Sequence, residues 1–484
     1  MDKMIVMRGA MMYMLAFFAL FILCGCAVGP DYERPKAAVP VTYKESAKTK
    51  EAWKVATPQD TLDQGRWWLI FNDPELDFLE TQATASNQTI AVASAQYDQA
   101  LAMVRETKAG FFPTLSGTMG DVKSLNGSGA GATPNANSKP ISSLASGSLQ
   151  AAWEPDLWGS VHRLVEADEA AAQASAAQLA AVRLSTQATL AQTYFQLRAL
   201  DEVQTLLDES IAAYEKFLKI SKNQYKAGTA SRLNVLQAEA QLEAIRVLAS
   251  DNGIARAQYE HAIAVLLGRP PAHFSIAKRK SYLTPPLIPL DVPSALLERR
   301  PDIAHAERLM AQANAEVGIA TTAFFPTLTL SGFRGVGSRS FGHLFSNPIS
   351  FWSLGAQVVE TIFDGGARSA AVDAAGSAYQ ASVAQYRQTV LEAFQDVEDN
   401  LATLNNLETE MKAQKRAVAI AEKEQVLAVN AYKAGTLGAS DVLTALFNVY
   451  TIKRDAVTIT GRRMVAAVGL IKALGGGWKD QPRR

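Results

Sequence analysis

The phrase KAGFFPTLSG, which begins at Lys108, returns downstream as TAFFPTLTLSG, with Phe325 and Pro326 standing 213 positions after Phe112 and Pro113. It is not alone. YKAGT occurs at Tyr225 to Thr229 and again at Tyr432 to Thr436, 207 positions apart, and DLWG ending at Gly159 is matched at that offset by FDGG ending at Gly366. Three separated signals at nearly one spacing mean that a unit of about 200 residues is written twice. Whatever the chain folds into must be something that two copies of one supersecondary unit build together.

Each copy has the same order of parts. In the first, a helical pattern from about Pro74 to Gly110 halts at Pro113; a strand, the loop NGSGAGATPNANSKP, a second strand from about Ser143 to Trp153 and a long helix from about Leu157 follow. The second has a helix from about Pro293, then FFPTLTLSGFRG, a loop with Gly342 and Pro348, the strand SFWSLGAQVVETIF and a helix from about Gly365. The expected organisation is a leader over 1–25, an extended segment over 26–72, repeats over 73–290 and 291–475, and a tail over 476–484. Within the repeats, strand pairs fall at about 113–154 and 326–363, and helical hairpins at about 157–268 and 365–474.

Spacing supports the helices. Val383, Tyr386, Val390, Phe394, Val397, Leu401 and Leu404 step by three or four, and Leu190, Tyr194 and Leu197 hold the matching places in the first copy. An unbroken pattern from Gly365 to about Ala434 implies a helix on the order of 100 Å long. No ordinary core is that deep, so such helices pack side by side. Gly228 and Gly435 each stop one pattern, and Arg232 to Leu267 and Asp441 to Leu474 resume it antiparallel.

The strands are about ten residues long, the length that crosses a bilayer when tilted. SLGAQVVETIF puts Leu354, Ala356, Val358 and, after a break, Ile362 toward one side. Four strands in lipid cannot close, and their open edges would leave backbone groups unpaired at several kcal/mol each. Edges must therefore pair between chains. Two chains would give a filled eight-stranded barrel, and three a twelve-stranded one with room for a lumen. Pro113 and Pro326 halt a helix before a strand, and the aromatic pairs Phe111 with Phe112 and Phe324 with Phe325 suit the helix-to-barrel junction. The same phrase also reads as a helix stop with two core phenylalanines.

At the N-terminus Lys3 and Arg8 precede an apolar run from Met11 to Leu23, the pattern of a secretory signal. Leu23-Cys24-Gly25-Cys26 resembles a lipobox, which implies cleavage before Cys26, acylation of that cysteine and a bacterial lipoprotein. Ala27 in place of aspartate points to the outer membrane. Removal of Cys24 then leaves no free thiol for disulfides or metal sites. Lysine plus arginine (47) equals aspartate plus glutamate (47), which gives no footprint for nucleic acid.

Several further phrases, CAVGPDYERP, WWLIFNDPELDFLE from Trp67, the Arg299 to Asp302 run before FFP, FDGGARSA and YKAGTLGASDVL, span nearly all of the expected mature chain. In them the chain resembles the TolC superfamily of outer-membrane efflux proteins, in its lipoprotein branch that serves RND-type pumps. The resemblance implies an α+β membrane protein: a homotrimer whose four strands per chain make a twelve-stranded outer-membrane β-barrel continuous with a periplasmic α-helical barrel. It implies a belt of N-terminal, mid-chain and C-terminal segments. It also implies a passive exit duct for small molecules, joined by a periplasmic adaptor (membrane fusion protein) to an inner-membrane RND-type transporter. Outer-membrane lipid surrounds it, and no cofactor is expected beyond the lipid on Cys26. A lipid-anchored coiled-coil adaptor, or a duct for type I protein secretion, are the competing classes.

In this family the periplasmic end closes just past the second helical turn. The motif places Tyr432, Gly435, Thr436, Leu437, Asp441 and Thr444 there, so the family's arginine and second aspartate are absent and Asp441 remains. Three Asp441 carboxylates near one axis predict cation preference and pH-sensitive conductance; as the start of a returning helix, Asp441 equally serves the helix dipole. Gly228 with Thr229 and Gly435 with Thr436 are the hairpin tips, candidates for adaptor contact and left-handed turns at once. DVEDN at Asp396 to Asn400 reads as a solvated face, the five histidines lack ligand spacing, and no nucleophile-base pair or nucleotide fold is visible, so a metal site or an enzyme is not expected.

Overall fold

A computed structural model describes residues 27–35, 40, 42–45, 65–125, 141–279, 283–286, 299–346 and 348–476. The helices are α1 (Pro74–Ser86), α2 (Gln88–Lys108), α3 (Ser160–Lys226), α4 (Arg232–Leu266), α5 (Pro301–Thr322), α6 (Ala367–Lys433) and α7 (Ala439–Ala473). The strands are β1 (Thr114–Leu125), β2 (Ile141–Trp153), β3 (Thr327–Ser338) and β4 (Ile349–Val359). The duplication is written into the lengths. Helices α3 and α6 have 67 residues each, α4 and α7 have 35 each, and every boundary of the second hairpin lies 207 positions after its counterpart. The loop at 126–140, the leader with Cys26 and the expected helix start near Pro293 lie outside the described residues.

Two compact units share the chain. One comprises the described residues of Met1–Pro35, Asp98–Ala174 and Glu307–Ala384; the other those of Lys36–Tyr97, Ser175–Ala306 and Gln385–Arg484.

The first unit holds a four-stranded antiparallel sheet in the order β1-β2-β3-β4. Its register sorts the side chains into two unlike faces, because residues directly opposite share a face and alternate along the strand. Leu115 pairs with Ala151, Gly117 with Leu149 and Met119 with Gly147. Leu149 and Trp153 then meet Arg334 and Leu330 on β3. On β4, Trp352, Leu354, Ala356 and Val358 follow on the same side. That face is apolar over most of its extent, and Leu354 is 79% exposed on it. The opposite face carries Thr114, Ser116 and Thr118 against Ala152, Gln150 and Ser148, then Ser331, Thr329, Gln357 and Ser353. Its aromatic exception is a stacked pair, Phe333 and Phe351, 5.4 Å apart. Phe351 lies over Gly335, where a Cβ would stand 2.6 Å from the ring. Among the described residues, β1 and β4 are each paired on one side only.

β4 is shorter than the sequence pattern suggests. It ends at Val359, and Ile362 and Phe363 stand outside it. Asp364 ends the extended run by accepting hydrogen bonds from the backbone N–H of Gly366 at 2.9 Å and of Arg368 at 3.2 Å, which turns the chain into α6.

The second unit is a packing of the two hairpins with α1 laid against them. Asp73 starts α1 by accepting from the backbone N–H of Glu75 and Leu76, with Pro74 in the first turn. Leu76, Leu79 and Ala83 of α1 then pack with Leu190, Tyr194 and Leu197 of α3, Ile263 of α4 and Val468 of α7. Further along, Leu207, Tyr214 and Phe217 meet Leu242 and Ile245 of α4 and Tyr432, Val442 and Leu446 of the second hairpin. The helical pattern expected to run unbroken from Pro74 to Gly110 breaks at Asn87, which is extended at ψ 127. Its side chain accepts from the N–H of Thr89 and Ile90 and donates to Leu266 O at 2.8 Å, so it caps a new helix and staples it to the end of α4.

Candidate functional site

Three places carry the residues singled out by the sequence. At the hairpin tips, the repeated YKAGT is a helix stop of one geometry. Gly228 at φ +70 and Gly435 at φ +77 occupy the left-handed region. Behind them, Thr229 N–H donates to Gln224 O at 2.9 Å and Gly228 N–H to Tyr225 O at 3.0 Å; Thr436 N–H donates to Ala431 O and Gly435 N–H to Tyr432 O, both at 3.0 Å. These are the two bonds of a Schellman motif. Each threonine hydroxyl adds a second donor to the carbonyl its own N–H reaches, Gln224 O at 3.1 Å from Thr229 and Ala431 O at 3.0 Å from Thr436. A Cβ on either glycine would meet nothing within 4 Å.

Past the tips the copies diverge. Ser231 starts α4 with its side chain accepting from Asn234 N–H. Gly438 starts α7 with no side chain to offer, and the carboxylate of Asp441 instead accepts from Gly438 N–H at 3.2 Å. The two starts thus use opposite halves of a capping box. Tyr432 is buried, tilted against Phe217 at 5.1 Å, with its hydroxyl 3.4 Å from Ser221 Oγ. Leu437 packs partly against the same cluster. Tyr432 and Asp441 therefore sit in different surroundings, one inside the coiled coil and one exposed.

At the strand-helix junction, Phe325 stacks on Trp158 with centroids 4.9 Å apart, and the Trp158 indole N–H donates to Pro326 O at 2.7 Å. In the first copy Trp153 donates to Phe111 O at 3.1 Å, and Phe112, before Pro113, is 69% exposed. The two copies of FFP thus have the same backbone role and different partners.

The third place is the phrase CAVGPDYERP, in the segment expected to be extended over 26–72. Residues 27–35, directly after Cys26, form a strap in the first unit. Val28 N–H donates to Trp158 O at 3.1 Å, and Arg163 donates to Val28 O and Gly29 O at 3.1 Å each and to Asp31 at 2.9 Å. Asn314 donates to Pro30 O at 2.9 Å, and Tyr32 donates to Glu307 at 2.5 Å. Burial, together with the Glu307 carboxylate, pushes the Tyr32 hydroxyl well above the ordinary phenol range. Although burial opposes its charge, the hydrogen bonds to Glu166 and Asp31 hold the Arg163 guanidinium above its usual value. A cluster of glycines at 29, 159 and 318 was the available signal. A Cβ on Gly159 would lie 2.6 Å from Ala27 Cα, so the strap lies against the start of α3 only because no side chain stands there.

In the second unit, the arginine of the Arg299 to Asp302 run gains a role. Arg300 is bidentate to Asp302, at 3.0 and 2.6 Å, reaches Asp396 at 3.0 Å and donates to Ala473 O at 3.2 Å. It joins the start of α5 to α6 and to the last turn of α7. DVEDN does lie on a solvated face, with Asp396 and Asp399 exposed, but two of its carboxylates also hold partners. Asp396 is Arg300's partner, and Glu398 accepts from the backbone N–H of Lys44 at 2.7 Å and Glu45 at 3.0 Å, tethering the N-terminal segment. Acidic residues on the outer stripe of a helix look alike in sequence whether water or a distant segment covers them.

Among the described residues, no helix is long and apolar enough to cross a membrane, and no group of histidine, cysteine, aspartate or glutamate could hold a metal ion. The comparisons with known proteins agree with the duplicated plan. A family model described as outer membrane efflux protein matches twice, over residues 79–269 and 292–476. The probable efflux pump outer membrane protein TtgC of Pseudomonas putida is 31% identical over 473 residues, covering 95% of this chain and 94% of the relative. The probable outer membrane lipoprotein SilC of Salmonella typhimurium is 28% identical, covering 96% and 99%. The open-state structure of the MtrE outer membrane channel of Neisseria gonorrhoeae superposes with a TM-score of 0.79 at 28% identity, covering 94% of this chain and 99% of that one. With both halves of the chain matched by one model and 95% of its length by a relative 31% identical to it, the chain belongs to the outer membrane efflux protein family.

Proposed function

We propose that this outer-membrane efflux channel works as a homotrimer, in which three four-stranded sheets close into a twelve-stranded barrel and the hairpins into a periplasmic tube. One observation carries the reading: a sheet with one apolar and one polar face and, among the described residues, two unpaired edges. An apolar exterior and a polar lumen are what a barrel in lipid requires. Left open, β1 and β4 would expose unpaired backbone groups to hydrocarbon at a cost of roughly tens of kcal/mol, and pairing between copies removes it. Three copies give a lumen wide enough for small molecules, whereas two give a barrel that its own side chains fill.

The remaining parts follow from placement. Ala27 abuts Gly159 at the start of α3, and acyl chains on Cys26, the residue before it in sequence, anchor the chain in the outer membrane. The relative SilC is named a lipoprotein, in keeping with this. The tips formed by Gly228, Thr229, Gly435 and Thr436 meet a periplasmic adaptor, through which an inner-membrane RND-type transporter drives export. Tyr432 and Asp441 belong to the periplasmic gate: Tyr432 holds the hairpins together, and three Asp441 carboxylates give the constriction its cation preference. Chemistry at the protein itself is passive.

The test is the mass and conductance of detergent-extracted full-length protein. A trimer by native mass spectrometry that conducts ions in a planar bilayer is expected; a stable monomer that never conducts would overturn the reading. Acyl labelling lost in Cys26→Ser checks the anchor.

A further inference from the structure

The duplication gives an internal example of a contact that must recur between chains. Within one chain β2 lies beside β3, and at the foot of that pair Trp158, after β2, is stacked on Phe325, before β3. If edges pair around a ring, the next such neighbours are β4 of one protomer and β1 of another. Phe112 is the first-copy counterpart of Phe325 and precedes β1, yet it is 69% exposed. The counterpart of Trp158 is Gly365, which has no ring to offer. Just before it, after β4, Ile362 is 95% and Phe363 is 88% exposed.

These two apolar side chains are not on a slack loop. Arg368 donates to Thr361 O at 2.6 Å, to Asp364 at 2.7 Å and to Glu360 at 3.2 Å, while its guanidinium lies over the Phe324 ring at 5.2 Å. The segment bearing Ile362 and Phe363 is therefore fixed on both sides, and it presents them outward in a set direction. They and Phe112 lie at the same end of the sheet and at opposite edges.

We propose that Ile362 and Phe363 of one protomer pack on Phe112 of the next, reproducing between chains the contact that Trp158 and Phe325 make within one. The occupant is a second copy of this chain, and the inference rests on the trimeric reading above. Continuity with the β2–β3 contact selects it: the repeat places an aromatic ring before the first strand of each copy, β1 and β3, and only the ring before β3 is covered within the chain. A heterologous contact of this kind closes into a ring when repeated by rotation. Two large apolar side chains leaving water would also make it a main contributor to trimer stability at the membrane border.

The experiment uses full-length protein made in the outer membrane with Phe112→Cys and Phe363→Cys combined. Cys24 and Cys26 are the chain's two cysteines, and the proposed processing leaves neither as a free thiol. Oxidation or a short bis-maleimide should give dimer and trimer adducts on a denaturing gel from the double variant and none from either single variant. In parallel, Phe363→Ser should lose the heat resistance of the trimer while Phe363→Leu keeps it. A trimer of unchanged mass that forms no adduct overturns this contact and leaves the trimer standing. Quenching of a bimane on Phe363→Cys by brominated phospholipid, as strong as on Leu354→Cys, also overturns it, since the side chain then faces lipid. A protein monomeric under all conditions sinks the trimer itself.

Discussion

A methyl group built on Gly29 would lie 2.5 Å from the Cα of Gly318, and Gly29 holds a φ of +105 that side chains rarely adopt. The strap after Cys26 thus runs along a helix at backbone contact. A Cβ on Gly318 would in turn meet Arg163 Cδ at 2.9 Å, the arginine that grips the strap. Gly318→Val should expel residues 27–35, at an overpacking cost of about 1–3 kcal/mol. Limited proteolysis with mass mapping should find new cuts there in the folded protein. Gly253→Ala, at a position with open space around it, should leave the pattern unchanged.

Glu80 is fully buried on α1, and neither carboxylate oxygen has a hydrogen-bond partner. Burial raises its carboxyl well above the usual range, so folding favours the neutral acid over the carboxylate. The sign follows. The contribution of Glu80 is complete below its unfolded pKa, roughly 4.3, and is lost as pH rises from there toward the raised folded value. Glu80→Gln cannot ionise and should escape that loss. Thermal unfolding at about pH 5 and about pH 8 should show the variant gaining on the native protein as pH rises; parallel curves would mean that Glu80 is ionised in the fold.

Arg198 is wholly buried between Asp201 at 2.7 Å, Ala277 O at 2.9 Å and the carboxylate of Glu75, and Arg256 takes the other oxygen of Asp201 at 2.7 Å. Arg198→Met leaves Glu75 and Asp201 short of a cation and should cost about 3–5 kcal/mol. The exposed Arg246, paired with Glu215 and Glu243, is the contrast, and Arg246→Ala should leave the denaturant midpoint almost unchanged because solvent screens its pairs. Denaturant midpoints of the two variants measure the difference.

Asp441 has a cap to fill and a proposed place in the constriction. Asp441→Asn keeps an oxygen that can accept from Gly438 N–H but removes the charge, so ion selectivity in a planar bilayer should shift away from cations with little loss of stability. Asp441→Ala should lose both, with about 0.5–2 kcal/mol from the missing cap. Selectivity equal to that of the native protein in the Asn variant would confine Asp441 to capping.

Much of this was legible in single residues. A glycine followed by threonine at the end of a long apolar stripe specifies a Schellman stop by local sterics, and writing it twice specified two hairpins of equal length. Local signals of that kind reach only a few residues. The break at Asn87 was within their reach, since Asn before Gln-Thr-Ile is a cap, but the periodicity on either side masked it. Glu398 and Asp396 were beyond it, because their partners at Lys44, Glu45 and Arg300 lie far away in sequence.

The repeat, the lengths of the hairpins, the stops at Gly228 and Gly435 and the strand starts after Pro113 and Pro326 were all readable along the chain, since they follow from backbone preference and side-chain period. That Arg163 and Gly318 seat the strap, that Arg300 ties α5 to α7, and that Phe325 is covered while Phe112 is not emerged from the folded arrangement alone. Such choices depend on which surfaces the folded chain brings within a few ångströms, and periodicity along a chain carries no record of distance across it.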